Sequence, residues 1–218
     1  MRTRIVLFAG LAALVVGLAG CGATIAWGNA SSASQGGGMM GGGMMGSGMM
    51  SGMMAEPMMV WRQGSGAASS PQEAARLGLA TVQERGWTWL TLDEVHIFPT
   101  FYEVEFNDRN GLKGPEVYVS RSSGAVGPEM GPYMMWDTRY GMGPGCSSTI
   151  SEARARSIVT VPAGLALGDG EHHHGYWEFE LKRGNSVVNQ INISECGQGV
   201  INEQMWQPEM EGTYAPQG

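Results

Sequence analysis

Phe101-Tyr102-Glu103-Val104-Glu105-Phe106 is matched, 75 residues further on, by Tyr176-Trp177-Glu178-Phe179-Glu180-Leu181. Both hexapeptides are rich in aromatic and aliphatic residues, with glutamate at the third and fifth positions. Partial alternation of this kind predicts a β-strand with one apolar and one wet face. Glu103 with Glu105, and Glu178 with Glu180, lie two residues apart and so share a face. The sequence places both pairs on a solvated sheet face, since general acid–base work needs one carboxyl raised in a cleft.

The flanks of the two strands also correspond. Before the first, Ser70-Pro71-Gln72-Glu73 reads as a helix start, with serine as N-cap, proline at the first helical position and glutamate three residues after the serine. Ala74, Ala75, Leu77, Leu79 and Val82 supply its apolar face, and Gly86 stops it. Thr91 to Phe98 and Phe101 to Asn107 are predicted strands, Asn107 to Gly114 a turn, Glu116 to Ser120 a strand, Ser122-Ser123-Gly124 a turn and Ala125-Val126 a last pairing. In the second half, Ile150-Ser151-Glu152-Ala153 opens a helix limited by Pro162. The Tyr176 strand, the Arg183-Gly184-Asn185 turn, a strand over Val187 to Ser194 and a closing strand at Gly199-Val200-Ile201 follow. Internal duplication is the simplest account. Each unit has only ~60 to 65 residues, where a single core is marginal, so the units gain by packing together.

The Glu73-Ala74 helix start, the Tyr102-Glu103-Val104-Glu105 strand, the Asn110-Gly111 turn, the Val117-Tyr118-Val119 strand and the Ser123-Gly124-Ala125-Val126 ending together resemble the PepSY domain. The resemblance covers residues 71–130, and residues 150–204 resemble a weaker copy. It implies a small α+β fold in which a helix packs on an antiparallel sheet. Such domains form an inhibitory or chaperoning part of some metallopeptidase propeptides and occur in many extracytoplasmic bacterial proteins. The resemblance brings no catalytic residues, and no protease domain is read here.

The expected organisation is therefore a signal peptide at 1–20, a flexible tether at 21–69, PepSY-like units at 70–130 and 150–207, a connector at 131–149 and a disordered tail at 208–218. Arg2 and Arg4 precede an apolar run, Ile5 to Val16, that is shorter than the ~20 residues of a spanning helix. Leu18-Ala19-Gly20-Cys21 then resembles the lipobox of bacterial lipoproteins, which implies cleavage before Cys21 and diacylation of its thiol. The protein is expected to be exported and held by lipid at the bacterial cell envelope, facing the periplasm or exterior. An uncleaved anchor helix or an ordinary secretory signal is the alternative. Removing twenty of the 218 residues, with two arginines, leaves 198 and moves the formal charge from −7 to −9. An acidic surface disfavours nucleic acid as a partner.

Gly36 to Met59 holds ten of the 17 methionines, as the pairs Met39-Met40, Met44-Met45, Met49-Met50, Met53-Met54 and Met58-Met59. The intervening glycines make helix or strand costly, so a flexible tether is expected. Thioethers are soft donors that stay unprotonated and suit Cu(I). Simple spacing, oxidant trapping through reversible sulfoxide formation, or packing on a partner are the alternatives. Met134 and Met135, in a connector that adds Trp136 and Met142, extend the candidate ligand set, although Trp136 also reads as filler of a groove between the repeats. His172-His173-His174 is read as an exposed loop in which at most two imidazoles could share copper, zinc or nickel. His96 reads as structural. Cys146 and Cys196 are expected to form a disulfide in an oxidising compartment, closing a loop of about fifty residues and contributing ~3 to 4 kcal/mol. Two thiol ligands are the competing reading.

No HExxH, GxSxG, P-loop or dinucleotide fingerprint occurs, so no enzymatic activity is expected. The sequence thus points to a lipid-anchored protein binding soft metal, with Cu(I) as its cofactor or cargo, for storage, delivery or detoxification. The alternative is a PepSY-type interaction or peptidase-regulating module that docks an envelope protein, with the tether supplying reach.

Overall fold

A computed structural model describes residues 55–216. The expected signal peptide, Cys21 and the methionines from Met39 to Met54 lie outside the described residues. The fold is α+β, with two antiparallel sheets and few helices.

Helix α1 (Pro71–Glu84) starts as its sequence requires. Ser70 Oγ accepts the Glu73 backbone N–H at 3.2 Å, while Glu73 reaches back to the Ser69 N–H at 3.0 Å. Its apolar face, including Ala74, Leu77 and Val82, packs on strands β1 (Thr91–Ile97), β2 (Phe101–Asn107), β3 (Val117–Ser120) and β4 (Val126–Pro128). A short helix, α2 (Pro132–Trp136), follows, and α3 (Glu152–Ile158) opens the second half. Strands β5 (Ala166–His172), β6 (Tyr176–Arg183), β7 (Ser186–Ser194) and β8 (Val200–Asn202) form the second sheet, in the order β5-β6-β7-β8. The first sheet runs β4-β3-β2-β1-β9, where β9 is Gly212–Tyr214. Each half is thus a helix followed by a four-stranded meander.

The two-residue period sorts the side chains. Tyr102, Val104, Phe106, Val117 and Val119 point to α1, while Phe179, Leu181, Ile191 and Ile193 pack with Ala155 of α3. The opposite faces of the two sheets meet, joined by hydrogen bonds such as Tyr176 Oη to Glu116 at 2.8 Å.

Two segments differ from their sequence reading, and a third, which carries none apart from His172, forms a strand. Residues 166–172, rich in glycine and polar side chains, form β5. Glycine is needed at position 170, because a Cβ there would overlap the Phe179 ring. The segment from residue 55 to 69, assigned to the tether, lies along the β4 edge: Trp61 N–H donates to the Val126 carbonyl at 2.8 Å, and Val126 N–H to that of Arg62 at 2.9 Å. Ser120, Ser122 and Ser123 hydroxyls all donate to Glu56 within 2.8 Å. The tail read as disordered contributes β9, which pairs with β1, and Met210 is buried against Phe98, Phe101 and Tyr118. Backbone groups of Met210 and Glu211 bond to Val188 and Ile97, one in each sheet, which holds this segment across both.

Gly127 tests the strap. A Cβ at this position would overlap the Met59 carbonyl oxygen and press on Pro57. Gly127→Val is expected to lift residues 55–62 from β4 and to accelerate tryptic cleavage after Arg62 about tenfold, the equivalent of ~1.4 kcal/mol of local opening, while the far-UV spectrum is unchanged. Cleavage at the wild-type rate would show that the strap does not depend on this contact.

Candidate functional site

The wet faces of β2 and β6 cover each other instead of facing solvent. Glu103, Glu105, Glu116, Glu129, Glu178 and Glu203 are all buried, none more than 3% exposed. The reading of Glu103, Glu105 and Glu178 as solvated is therefore corrected. Only Glu180 keeps to it in part, half-buried and paired with Lys182 at 2.6 Å. The physical reason is that two sheets, each with one apolar face committed to its own helix, have only their polar faces left to join.

Two cations sit among these acids. His96 on β1 has Nδ1 3.0 Å from Glu105 and 3.4 Å from Glu103, and Nε2 3.3 Å from Glu94. Burial opposes its protonation, but the surrounding carboxylates outweigh burial and raise its pKa well above the ordinary histidine range. Lys113 reaches Asp93, Glu105 at 3.1 Å and Glu171 at 2.7 Å, and these partners hold it protonated. Burial raises the carboxyl of Glu171 to about 7, with the Glu105 charge adding to the effect.

Beyond these lies a set without a cation of its own. Glu116, at the entrance to β3, and Glu178 on β6 are both pushed well above the carboxylate range by burial first and by neighbouring acids second. Glu116 accepts the Tyr176 hydroxyl, and Glu178 accepts the Gln190 amide. His173 lies beside them, its ring stacked on Tyr176 at 4.2 Å. Burial drives its pKa well below the usual value, so the imidazole is neutral. Glu129 accepts the N–H groups of Gly131 and Tyr133 at the start of α2, yet burial still raises it to about 8. Glu203 accepts from Asn192 at 2.8 Å.

The three consecutive histidines go to three places. His172 stacks on Trp177 at 4.0 Å and meets Glu195 at 2.8 Å; His174 meets Asp108 at 2.7 Å; His173 turns inward. They do not form an exposed loop or share one ion, because the end of β5 and the turn into β6 send neighbouring side chains in different directions. His96 is part of the interior cluster. Cys146 and Cys196 are joined by a disulfide with Cα atoms 5.3 Å apart. Met134 is buried in the first core, whereas Met135 is exposed, so the two do not present their sulfurs together. Met58 and Met59 are exposed. The face of Trp61 is taken by the Arg85 guanidinium at 3.9 Å, which leaves that side no room for a metal ion. Trp136 lies against Gly175, Tyr176 and Gly199 of the second half, so its contacts do not show it filling a groove between the repeats.

Sequence reasoning missed Lys113, which falls in a predicted turn, Glu116, which opens a predicted strand, and Glu129 and Glu203, which no motif marks. Protein-family models, curated proteins and solved structures give no match to the chain. Among the described residues no helix is long and apolar enough to cross a membrane.

The interior acids make stability depend on pH. Glu129 keeps its proton up to about pH 8 in the fold, against an ordinary value of 4.5. The folded state therefore binds more protons across that window, and stability falls as pH rises through it, by at most about 1.4 kcal/mol per pH unit for one proton. In urea titrations with a chelator present, Glu129→Gln is expected to flatten the fall in stability between about pH 5 and pH 8. A slope equal to that of the wild type would show that Glu129 is ionised in the fold.

Proposed function

We propose that this protein is a lipid-anchored, extracytoplasmic binder of soft metal, Cu(I), that holds the ion through methionine thioethers and carries out no reaction of its own. The observation that carries the reading is where the methionines lie. Of the seven large apolar residues that are exposed among the described residues, five are methionines: Met58, Met59, Met135, Met142 and Met205. Leucine, isoleucine and phenylalanine are absent from that set. Water-exposed thioethers contribute little to folding but remain free as soft ligands.

Their placement adds support. The Met59 backbone packs on Gly127, Met142 N–H donates to the Met134 carbonyl at 2.9 Å, and Trp206 lies against Gly131. Met59, Met135, Met142 and Met205 thus belong to chain segments that meet where β4 leads into α2. The pairs at Met39, Met44, Met49 and Met53 precede this corner in sequence, so ions exchanged along the tether would arrive there. Membrane attachment through Cys21 would keep the ion at the envelope surface. We assign the two halves to tandem PepSY-like units, a reading supported by their repeated order of helix and four-stranded meander.

Anaerobic Cu(I) titration of the full chain against a chromogenic chelator tests the function. The wild type is expected to take up several ions. Changing the ten methionines between Met39 and Met59 to leucine is expected to remove most of that capacity, and Met135→Leu with Met142→Leu and Met205→Leu to remove less, with the far-UV spectrum unchanged in both. Undiminished capacity in the ten-site variant would overturn the thioether reading and leave docking to an envelope protein as the function to pursue.

A further inference from the structure

The acid clusters between the sheets are not equivalent. Glu94, Glu103 and Glu105 surround His96, and Asp93, Glu105 and Glu171 surround Lys113, so both contain a side-chain cation. Glu116, His173 and Glu178 do not. One ligand atom from each of these three lies within 4.8 Å of the others. His173 is 1% exposed, and neither of its ring nitrogens makes a hydrogen bond. Its polar neighbours are Glu116 Oε1, 3.3 Å from Nδ1, and the backbone of Gly114. An imidazole sealed in the interior with no well-formed hydrogen bond on either ring nitrogen gives up those it would make with water.

We propose that Glu116, His173 and Glu178 bind a divalent first-row transition ion of the zinc class, which clamps one sheet to the other. The ligands come from both sides: Glu116 from the entrance to β3, His173 from the turn between β5 and β6, and Glu178 from β6. Their supports are in place. Tyr176 donates its hydroxyl to Glu116 and stacks on His173, while Gln190 donates to Glu178, so all three ligands are oriented by a hydrogen bond or a stacked ring. Two carboxylates and one imidazole suit Zn²⁺, Mn²⁺ or Fe²⁺ and are a poor match for Cu(I), so the site is independent of the thioether ligands. A cavity of about 160 Å³ lined by Glu94, His96, Glu171, Glu178 and Gln190 supplies an acidic approach to Glu178.

The test uses the full chain, stripped with chelator and titrated with Co²⁺, whose visible bands report protein ligands, followed by displacement with Zn²⁺. The expected result is one Co²⁺ per chain, displaced by Zn²⁺, with a rise in Tm on binding. His173→Gln and Glu178→Gln are expected to weaken binding at least about 100-fold, beyond the 10- to 100-fold typical of lost outer-shell partners. His172→Gln, with its ring on the outer side at Trp177, is expected to leave affinity unchanged. X-ray absorption at the zinc edge of the wild type needs no variant to fold, and is expected to give an oxygen and nitrogen shell that includes imidazole. Failure of the wild type to take up Co²⁺, a sulfur shell, or undiminished affinity in folded His173→Gln and Glu178→Gln would each overturn the proposal.

Discussion

Two sheets that each give their apolar face to a helix can join only through their polar faces, and the molecule depends on how that polar layer is neutralised. Six glutamates are buried in it. An uncompensated buried carboxylate costs several kcal/mol, whereas one that is protonated, hydrogen-bonded or paired with a cation is tolerated. Lys113 and protonated His96 serve one side of the layer, hydrogen bonds from Tyr176, Gln190 and Asn192 serve the other, and burial raises the carboxyls that remain. Such a layer specifies one register of sheet on sheet, because a shift would leave charges unpaired.

The ends of the described chain complete this arrangement. Residues 55–69 cover the outer edge of β4, and β9 covers that of β1, so the first sheet offers no long unpaired edge for association with another chain. Met210 fills the apolar end of the layer with Phe98, Phe101 and Tyr118, and the Cys146–Cys196 bond ties the segment before α3 to the turn after β7. Composition assigns residues 55–69 to the linker and residues 208–218 to a tail, since short polar stretches with glycine and proline carry no periodic signal.

The proposed functions use opposite ends of the scale of ligand hardness. Five methionines of the described residues expose their side chains, where a soft ion would be taken up and released without disturbing the fold. Carboxylates with a single imidazole are enclosed between the sheets, where a borderline ion would serve stability. The separation follows from solvation: a thioether loses little by facing water and needs no charge compensation, whereas carboxylates brought together out of water require a cation or a proton.

Local chemistry was legible in the sequence. The Ser70-Pro71-Gln72-Glu73 cap, the bounds of β2, the strands flanking the turns and the repeated helix-then-strand order all follow from propensity and two-residue alternation, which act over a few residues. Alternation also showed that Glu103 and Glu105 share a face with each other, as Glu178 does with Glu180, but it could not say what lies opposite that face. Only the tertiary structure decided that it is another sheet, which turned supposed surface acids into an interior cluster and drew to it Glu116 from the start of a predicted strand and Glu129 and Glu203 from positions without pattern. The same contact sent His173 inward and its two neighbours elsewhere, a distinction that three identical adjacent letters cannot carry. Periodicity records which side of a strand a residue occupies; burial, charge pairing and ligand geometry arise between segments far apart in the chain, and these formed the site.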